Sequence, residues 1–155
     1  METQSDVFHQ FLSDVFGDIL KREEDSLAAG DLSLREVQLI DTVCRTVEEG
    51  GDNRSTAIAA SRRMPAGTLT CAVDLLVKKG YLTRLRDQKD RRVVRLVPTQ
   101  KGRAASERHR AFHRRMADSL LSVLTDQEVS SLMRGMEKLT AFFRGGLKAP
   151  ANPNP

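Results

Sequence analysis

Two short runs of aliphatic residues with interleaved arginines lie on either side of a charged hexapeptide, residues 87–92. The first run covers residues 81–86 and the second covers residues 93–97. Runs of this length and composition, separated by a polar stretch, predict two short strands that form a hairpin. A helical pattern ends directly before the first run at Gly80, because glycine readily adopts the left-handed conformation that terminates a helix. The segment therefore predicts a helix followed by a hairpin with a basic tip.

Apolar residues recur at intervals of three and four over most of the remaining chain, which predicts amphipathic helices. Ser33 and Glu36 have the spacing of a capping box, with the serine at the helix start. Ser55 and Thr99 are expected to cap later helices, and Pro65 suits the first position of a helix because its missing N–H needs no partner there. The expected helices cover approximately residues 5–27, 34–49, 55–62, 65–79, 99–123 and 126–143.

Two short helices joined by a tight turn and followed by a hairpin are the order of elements in a winged helix-turn-helix. We predict a mainly α fold with a small β-hairpin wing. Residues 31–99 are expected to form the winged helix-turn-helix domain. Residues 1–30 and 100–145 would form a helical dimerisation region, and residues 146–155, rich in Gly, Pro and Asn, a disordered tail. The apolar stripes of the first and last helices have no evident partner in one chain, which favours a homodimer.

The charge of the chain is distributed unevenly. Residues 1–53 carry 4 Lys and Arg against 13 Asp and Glu, whereas residues 84–115 carry 12 against 3. Such polarity favours a polyanion at one end, although two solvated helix faces of opposite sign would give the same count. Cys44 and Cys71 lack paired spacing, which indicates a reducing compartment. The N-terminus lacks the basic start of a signal peptide and no apolar run approaches the ~20 residues that span a bilayer, so we expect a cytoplasmic protein that does not bind a membrane.

The helix over residues 65–79 is the candidate recognition helix. Its N-terminal half offers small and hydroxyl-bearing side chains, and it lacks the Asn, Gln or Arg that reads a base with two hydrogen bonds. The hairpin offers positive charge for a narrow minor groove, and Asp87 and Asp90 are expected to hold arginine side chains in place by charge-assisted hydrogen bonds. The residues predicted to bind DNA are Arg54, Ser55, Ala66, Gly67, Thr68, Thr70, Cys71, Arg86, Lys89, Asp90, Arg91 and Arg92.

Other chemistry finds little support in the sequence. His109 and His113 lie four residues apart on one helical face, a spacing that allows shared metal binding. A third ligand is not evident, although folding could bring His9 or Cys44 to the pair. We interpret the two histidines as surface residues and predict no metal site and no cofactor. The sequence has no phosphate-binding glycine loop, nucleophile elbow or paired-carboxylate spacing, so we do not expect an enzyme.

The order of elements, together with two segments, resembles the MarR family of bacterial regulators. The segments are residues 67–82 and residues 86–102, and residues 87–92 are similar to the family's D-x-R-D-x-R wing motif, with Lys89 in place of the central arginine. Two positions depart from the family pattern. Pro65 stands where a Ser or Thr cap is usual, and Arg62 stands where a buried Leu is usual. The resemblance implies a homodimeric repressor that binds double-stranded DNA.

Within the family the chain resembles the FabT-type repressors of fatty-acid synthesis, on residues 34–36, 40–41, 67–70, 110–113 and Met116. This likeness implies that an acyl group on acyl carrier protein acts as corepressor. A compatible acyl pocket would lie between the first, second and fifth helices, among Phe8, Phe11, Leu12, Val15, Val43 and Phe112. The basic strip with His109, Arg110 and Arg114 would face the acidic carrier protein. A filled core or dimer interface, and a solvated face, are the alternatives for these two sets.

Two further functions remain open from the sequence. MarR-type repressors that a small phenolic or other aromatic ligand releases from DNA are the main alternative within the family. From another class, a protein-interaction module could dock an acidic partner on the basic strip over residues 103–115, because a fold does not fix a function.

Overall fold

The computed structural model describes residues 1–145, so the predicted disordered tail, residues 146–155, lies outside the described residues. The helices and strands confirm the predicted mainly α fold with a β-hairpin wing. In chain order they are α1 (Gln4–Gln10), a π-helical segment (Phe11–Val15), α2 (Phe16–Leu27), α3 (Leu34–Glu48), α4 (Ser55–Ser61), α5 (Ala66–Lys78), β1 (Leu82–Arg86), β2 (Val94–Pro98), α6 (Gln100–Leu121) and α7 (Asp126–Arg144).

Local signals set most of the helix ends. The capping box at Ser33 is confirmed: its side chain accepts from the Glu36 N–H at 3.3 Å, and its own N–H donates to the Glu36 carboxylate at 2.7 Å. Gly80 follows α5 with φ of 82°, as the left-handed helix terminus requires. Two helix starts differ by one residue from their predicted positions. Arg54, not Ser55, precedes α4 without a side-chain cap, and Pro65 lies just before α5.

The first helical region differs from the single helix expected over residues 5–27. A π-helical segment, Phe11–Val15, separates α1 from α2, and such a segment inserts an extra residue into a turn. The side chains on this region remain exposed in the chain, including Phe8, Phe11, Leu12 and Phe16.

The hydrophobic core lies in the winged helix-turn-helix. It is built from α3, α4, α5, the two strands and the start of α6, because each of these elements turns one apolar face inward. Its buried members are Leu39, Ile40, Val43, Cys44, Ile58, Ala59, Leu69, Val73, Leu76, Tyr81, Leu82, Leu96 and Ala105.

The wing is a two-stranded antiparallel hairpin in which Leu82 pairs with Pro98 and Arg86 with Val94. The segment before α4 extends it, because Leu96 N–H donates to the Asn53 carbonyl at 2.9 Å and the Asn53 side-chain amide donates to the Leu96 carbonyl at 3.0 Å. The base of the wing is thereby fixed to the helix-turn-helix.

Gly102 lies where α6 begins against the residue that leads into β1. A Cβ added at this position would stand 2.2 Å from the Tyr81 carbonyl oxygen, so only glycine fits. Thr99 begins the helix as predicted, since its hydroxyl accepts from the Gly102 N–H at 3.0 Å.

The chain divides into two compact units, residues 1–113 and residues from Arg114 onward. In the second unit, Thr125 and Glu128 form a capping box that begins α7. The apolar residues of α7 are exposed, with Leu132, Met136, Leu139, Phe142 and Phe143 among them. Within the described residues, no helix has the length and apolar character needed to cross a bilayer. The predicted division into a dimerisation region and a DNA-binding domain stays a prediction.

Candidate nucleic-acid interface

The N-terminal half of α5 presents its small residues to solvent. Leu69, Val73 and Leu76 are buried and fix the rotation of the helix, because their side chains recur on one face. The opposite face is exposed, as predicted for a recognition helix, with Ala66, Gly67, Thr68, Thr70 and Cys71 on it. The Thr70 hydroxyl donates to the Ala66 carbonyl at 3.0 Å, so its remaining capacity is to accept from a ligand.

The wing tip is held by its two aspartates, which confirms their predicted role. Asp87 accepts from Arg95 Nε at 2.8 Å and from the Lys89 N–H at 2.8 Å. Asp90 accepts from the Arg92 backbone N–H at 3.0 Å and from Arg92 Nε at 3.2 Å. Backbone hydrogen bonds from Lys89 and the Arg95 side chain lower the pKa of Asp87. Asp87 is therefore ionised at neutral pH and anchors the turn that carries the cations.

The cations at the tip divide into two kinds. Arg86, Lys89, Arg91 and Arg92 are exposed, and the Arg92 side chain is 92% exposed. Arg95 is instead held inward, since it also donates to Asn53 Oδ1 at 3.1 Å. The sequence did not identify Arg95 and Asn53 as part of this site, because their contact joins positions 42 residues apart.

A groove of about 340 Å³ lies between the start of α4, the face of α5 and the wing. It is lined by Arg54, Ser55, Thr56, Thr70, Asp74, Arg84, Arg92, Val93 and Val94. Four of the residues predicted to bind DNA thus share one concave surface with residues that the prediction missed. Arg84 is the clearest of those, because it pairs with Asp74 at 2.6 Å and donates to the Thr70 carbonyl at 3.3 Å. The interleaved arginines of the first strand were the available signal for it.

Arg54 enters the groove from the segment before α4. Its guanidinium donates to both carboxylate oxygens of Asp52, with Nε 2.9 and 2.8 Å from them. Hydrogen bonds from the Arg54 side chain and N–H lower the pKa of Asp52 to about 2. The pair is exposed, so a phosphate can compete for Arg54.

The residues expected to line an acyl pocket do not share one environment. Val43 is fully buried in the core, which corrects its assignment as a lining residue. Phe8, Phe11, Leu12 and Val15 are exposed. Phe112 is half-buried, with its ring 6.1 Å from that of His113.

The residues expected to face a carrier protein also differ from one another. His109 is only 6% exposed, so its placement on a solvated strip was wrong. Arg110 donates to Asp41 Oδ1 at 2.6 Å and to Glu48 Oε2 at 2.9 Å, and these hydrogen bonds raise its pKa. Arg114 is exposed.

Asp41 is the centre of a buried polar network. It accepts from Ser106 Oγ at 2.7 Å as well as from Arg110, and its second oxygen accepts from Arg45 at 3.1 Å. Burial disfavours the ionised carboxylate, but the hydrogen bonds from Ser106 and Arg110 outweigh it, so the pKa of Asp41 is lowered. The network joins α3 to α6 beneath the winged domain.

The third residue beside His109 and His113 is Glu23 of α2, and not His9 or Cys44. One potential ligand atom of each of these three side chains lies within 4.8 Å of the others. Burial, followed by the charge of His113, lowers the pKa of His109. Helical spacing identified the histidine pair, but no sequence signal pointed to an acid about 90 positions away.

Comparisons with known proteins agree on the fold. The model of the MarR family matches residues 43–94. An uncharacterized HTH-type transcriptional regulator of Bacillus subtilis (strain 168), YpoP, is 27% identical over 77% of this chain and 82% of its own length. The HTH-type transcriptional regulator BilQ of Clostridium symbiosum is 30% identical over 53% of this chain and 57% of its own.

Among solved structures, the chain is similar to Streptococcus pneumoniae FabT in complex with DNA, with a TM-score of 0.81 and 27% identity over 92% of this chain and 99% of that one. It also has the fold of Staphylococcus aureus MepR in its DNA complex, with a TM-score of 0.68 and 16% identity over 91% and 96% of the two chains. The predicted winged helix-turn-helix fold is therefore confirmed.

Proposed function

We propose that the chain is a DNA-binding transcriptional regulator of the MarR type that acts as a homodimeric repressor, on the strength of the family match over residues 43–94 and the similarity to FabT in complex with DNA. In each protomer α5 enters the major groove and the wing enters the adjacent minor groove. The observation that carries this proposal is the shared groove, where Thr70 of the recognition helix and Arg92 of the wing line one concave surface. A convex, negatively charged strand backbone fits such a surface.

The side chains on α5 and on the wing suggest different roles for the major-groove and the minor-groove contact. Thr68 offers a hydroxyl for a base or a phosphate, and the Thr70 hydroxyl, which already donates to Ala66, can accept from a base. Both provide weak discrimination compared with a bidentate pair. The tip cations contact a minor groove whose potential depends on its width. Sequence preference would then come partly from DNA shape.

A homodimer is supported by apolar side chains that each unit leaves in solvent. In α1 and the π-helical segment, Phe8 and Phe11 are 54% and 46% exposed, and in α7 Phe142 and Phe143 are 57% and 55% exposed. Exposed aromatic clusters of this kind are unusual on monomers. A second copy of the chain would cover them and place two recognition helices on one face of the duplex.

We further propose that the regulated genes are those of fatty-acid synthesis and that an acyl-acyl carrier protein is the corepressor. The similarity to FabT, which extends over 99% of that chain, supports this assignment. The exposed residues Leu12 and Val15, with half-buried Phe112, offer apolar surface for an acyl chain. Exposed Arg114 would face the acidic carrier.

The test is fluorescence anisotropy of the protein on duplex DNA from upstream of fatty-acid synthesis genes, with scrambled duplex as control. Each titration is run with and without long-chain acyl carrier protein, and Lys138→Ala serves as a charge-matched control for Arg92→Ala. Specific binding that the acyl protein tightens supports the corepressor proposal. Specific binding that it ignores or weakens refutes the corepressor and favours release by another ligand. No binding to either duplex at low salt would refute DNA recognition and favour docking of an acidic protein partner.

A further inference from the structure

Leu75 of α5 is a large apolar side chain that the fold leaves in solvent. It is 45% exposed, and among the described residues of the winged helix-turn-helix the other exposed large apolar side chain is Leu85 of β1, at 55%. The buried face of α5 is formed by Leu69, Val73 and Leu76, so the core does not use Leu75. A single exposed leucine is ordinary on a protein surface, and its role therefore depends on the surface on which it lies.

The surface around Leu75 is the outward face of α5, one turn after Cys71. Asp74 faces the wing, because its carboxylate pairs with Arg84 of β1 at 2.6 Å. An α-helix turns by about 100° per residue, so Leu75 is rotated by that angle from Asp74, away from the wing. Thr68, Cys71 and Leu75 are all exposed and share this side of the helix. Leu75 thus continues the small-residue face of the recognition helix towards its C-terminal end.

The composition of α5 restricts what this face can read from a base pair. The helix contains no Asn, Gln or Arg, the side chains that read purines with two hydrogen bonds. In the major groove the apolar feature of the base edges is the 5-methyl group of thymine, and the other positions present hydrogen-bond donors and acceptors. An aliphatic side chain pairs with none of those donors and acceptors, so thymine is the base that suits Leu75.

On the basis of the DNA-binding function proposed above, we propose that Leu75 is a specificity-determining residue that contacts the 5-methyl group of a thymine in each half-site of the operator. The cations around it favour DNA as the occupant of this surface. Lys78 of α5 and Arg92 of the wing are both exposed, and two copies of one cationic surface would repel each other. A duplex neutralises these cations and presents the methyl group between its phosphate strands.

The expected effect follows from the size of the contact. Loss of one methyl-sized group from an apolar contact corresponds to an affinity loss of about four-fold. A homodimer presents two copies of α5 to two half-sites, so loss of both methyl groups should weaken binding by about 15-fold.

The test compares thymine with uracil in one duplex, because uracil lacks the 5-methyl group and keeps the same hydrogen-bonding groups. Wild-type protein first selects its preferred duplex from a random-sequence pool, and that duplex is then made with uracil at every thymine position. Fluorescence anisotropy measures the affinities of wild type, Leu75→Ala and the matched control Leu85→Ala for both duplexes. The ratio of the thymine affinity to the uracil affinity should be about 15-fold larger for wild type and Leu85→Ala than for Leu75→Ala.

Thermal melts should show both variants folded, because both leucines are exposed. The proposal is overturned when folded Leu75→Ala keeps the wild-type ratio, since the sensitivity to the methyl group would then come from DNA shape or from another side chain. It is also overturned when wild type binds the two duplexes with equal affinity, a result that leaves the DNA-binding function intact. If the pool yields no preferred duplex, the proposed sequence-specific function fails, and the proposed role of Leu75 fails with it.

Discussion

Replacing Arg92 by alanine and replacing Arg95 by alanine should have different effects on stability and on DNA binding. The Arg92 side chain is 92% exposed and, among the described residues, pairs with Asp90 of its own turn, so Arg92→Ala should leave the melting temperature unchanged. Arg95 instead joins Asp87 to Asn53. Arg95→Ala should lower the melting temperature and misplace the whole tip, because it releases the aspartate that orders the turn.

The magnitude for Arg92 follows from counterion release. Each phosphate contact contributes about 0.9 to the slope of log affinity against log salt, and a homodimer has two wings. Arg92→Ala should therefore reduce the slope by about 1.8. Between 50 and 200 mM salt, a four-fold rise, the advantage of wild type over the variant should shrink by about 12-fold.

Anisotropy titrations on one operator duplex at four salt concentrations measure these slopes. Lys138→Ala on α7 removes the same charge outside the winged domain and should keep the wild-type slope. If Arg92→Ala kept the wild-type slope, or if Lys138→Ala lost as much, the wing would not contact phosphates. If Arg95→Ala bound DNA with wild-type affinity, the positioning role of the Asp87 network would be refuted.

Three further perturbations probe the rest of the molecule. Gly102→Ala forces a Cβ to 2.2 Å from the Tyr81 carbonyl and should cost about 1–3 kcal/mol, or roughly 2–4 °C in melting temperature per kcal/mol; a wild-type thermal melt would contradict the assigned contact. Gly67→Ala meets nothing within 4 Å, so it should melt at or slightly above the wild-type temperature, because alanine favours a helix more than glycine does. The same variant should weaken DNA binding in anisotropy, and wild-type affinity would show that the backbone at this position stays distant from phosphate. The folded-state pKa of Asp41 is lowered, so its stabilisation is present above its unfolded pKa and is lost as pH falls through the folded one; Asp41→Asn should flatten urea-unfolding stability across that acidic range, and an unchanged slope would show that the pairing with Arg110 contributes nothing.

The sequence alone determined most of the helices, both strands and their order along the chain. Ser33 and Thr125 begin helices, and Gly80 ends one, through hydrogen bonds within a few residues along the chain. The alternation on either side of Asp87 was enough to place the wing. Signals of this kind are local, because a cap or a turn needs only its immediate neighbours.

Local signals did not predict the break in the first helical region or which charged residues pair with each other. Periodicity predicted a single helix, and a π-helical segment at Phe11–Val15 changes which residues share a face. Arg95 looked like any interleaved arginine, and only its contact with Asn53 made it a positioning residue. A pattern assigns a side chain to a face, but the partner on that face depends on how two elements pack.

The burial of His109 was decided by the tertiary structure and not by the local sequence. A helix rich in arginine placed this residue on a solvated strip, whereas the structure buries it beside Glu23 and close to the network of Asp41 and Arg110. Neither contact could be predicted from the sequence, because both join residues about 70 to 90 positions apart. Backbone hydrogen bonding and side-chain periodicity specify short-range geometry, and long-range burial is specified only when separate elements pack against one another.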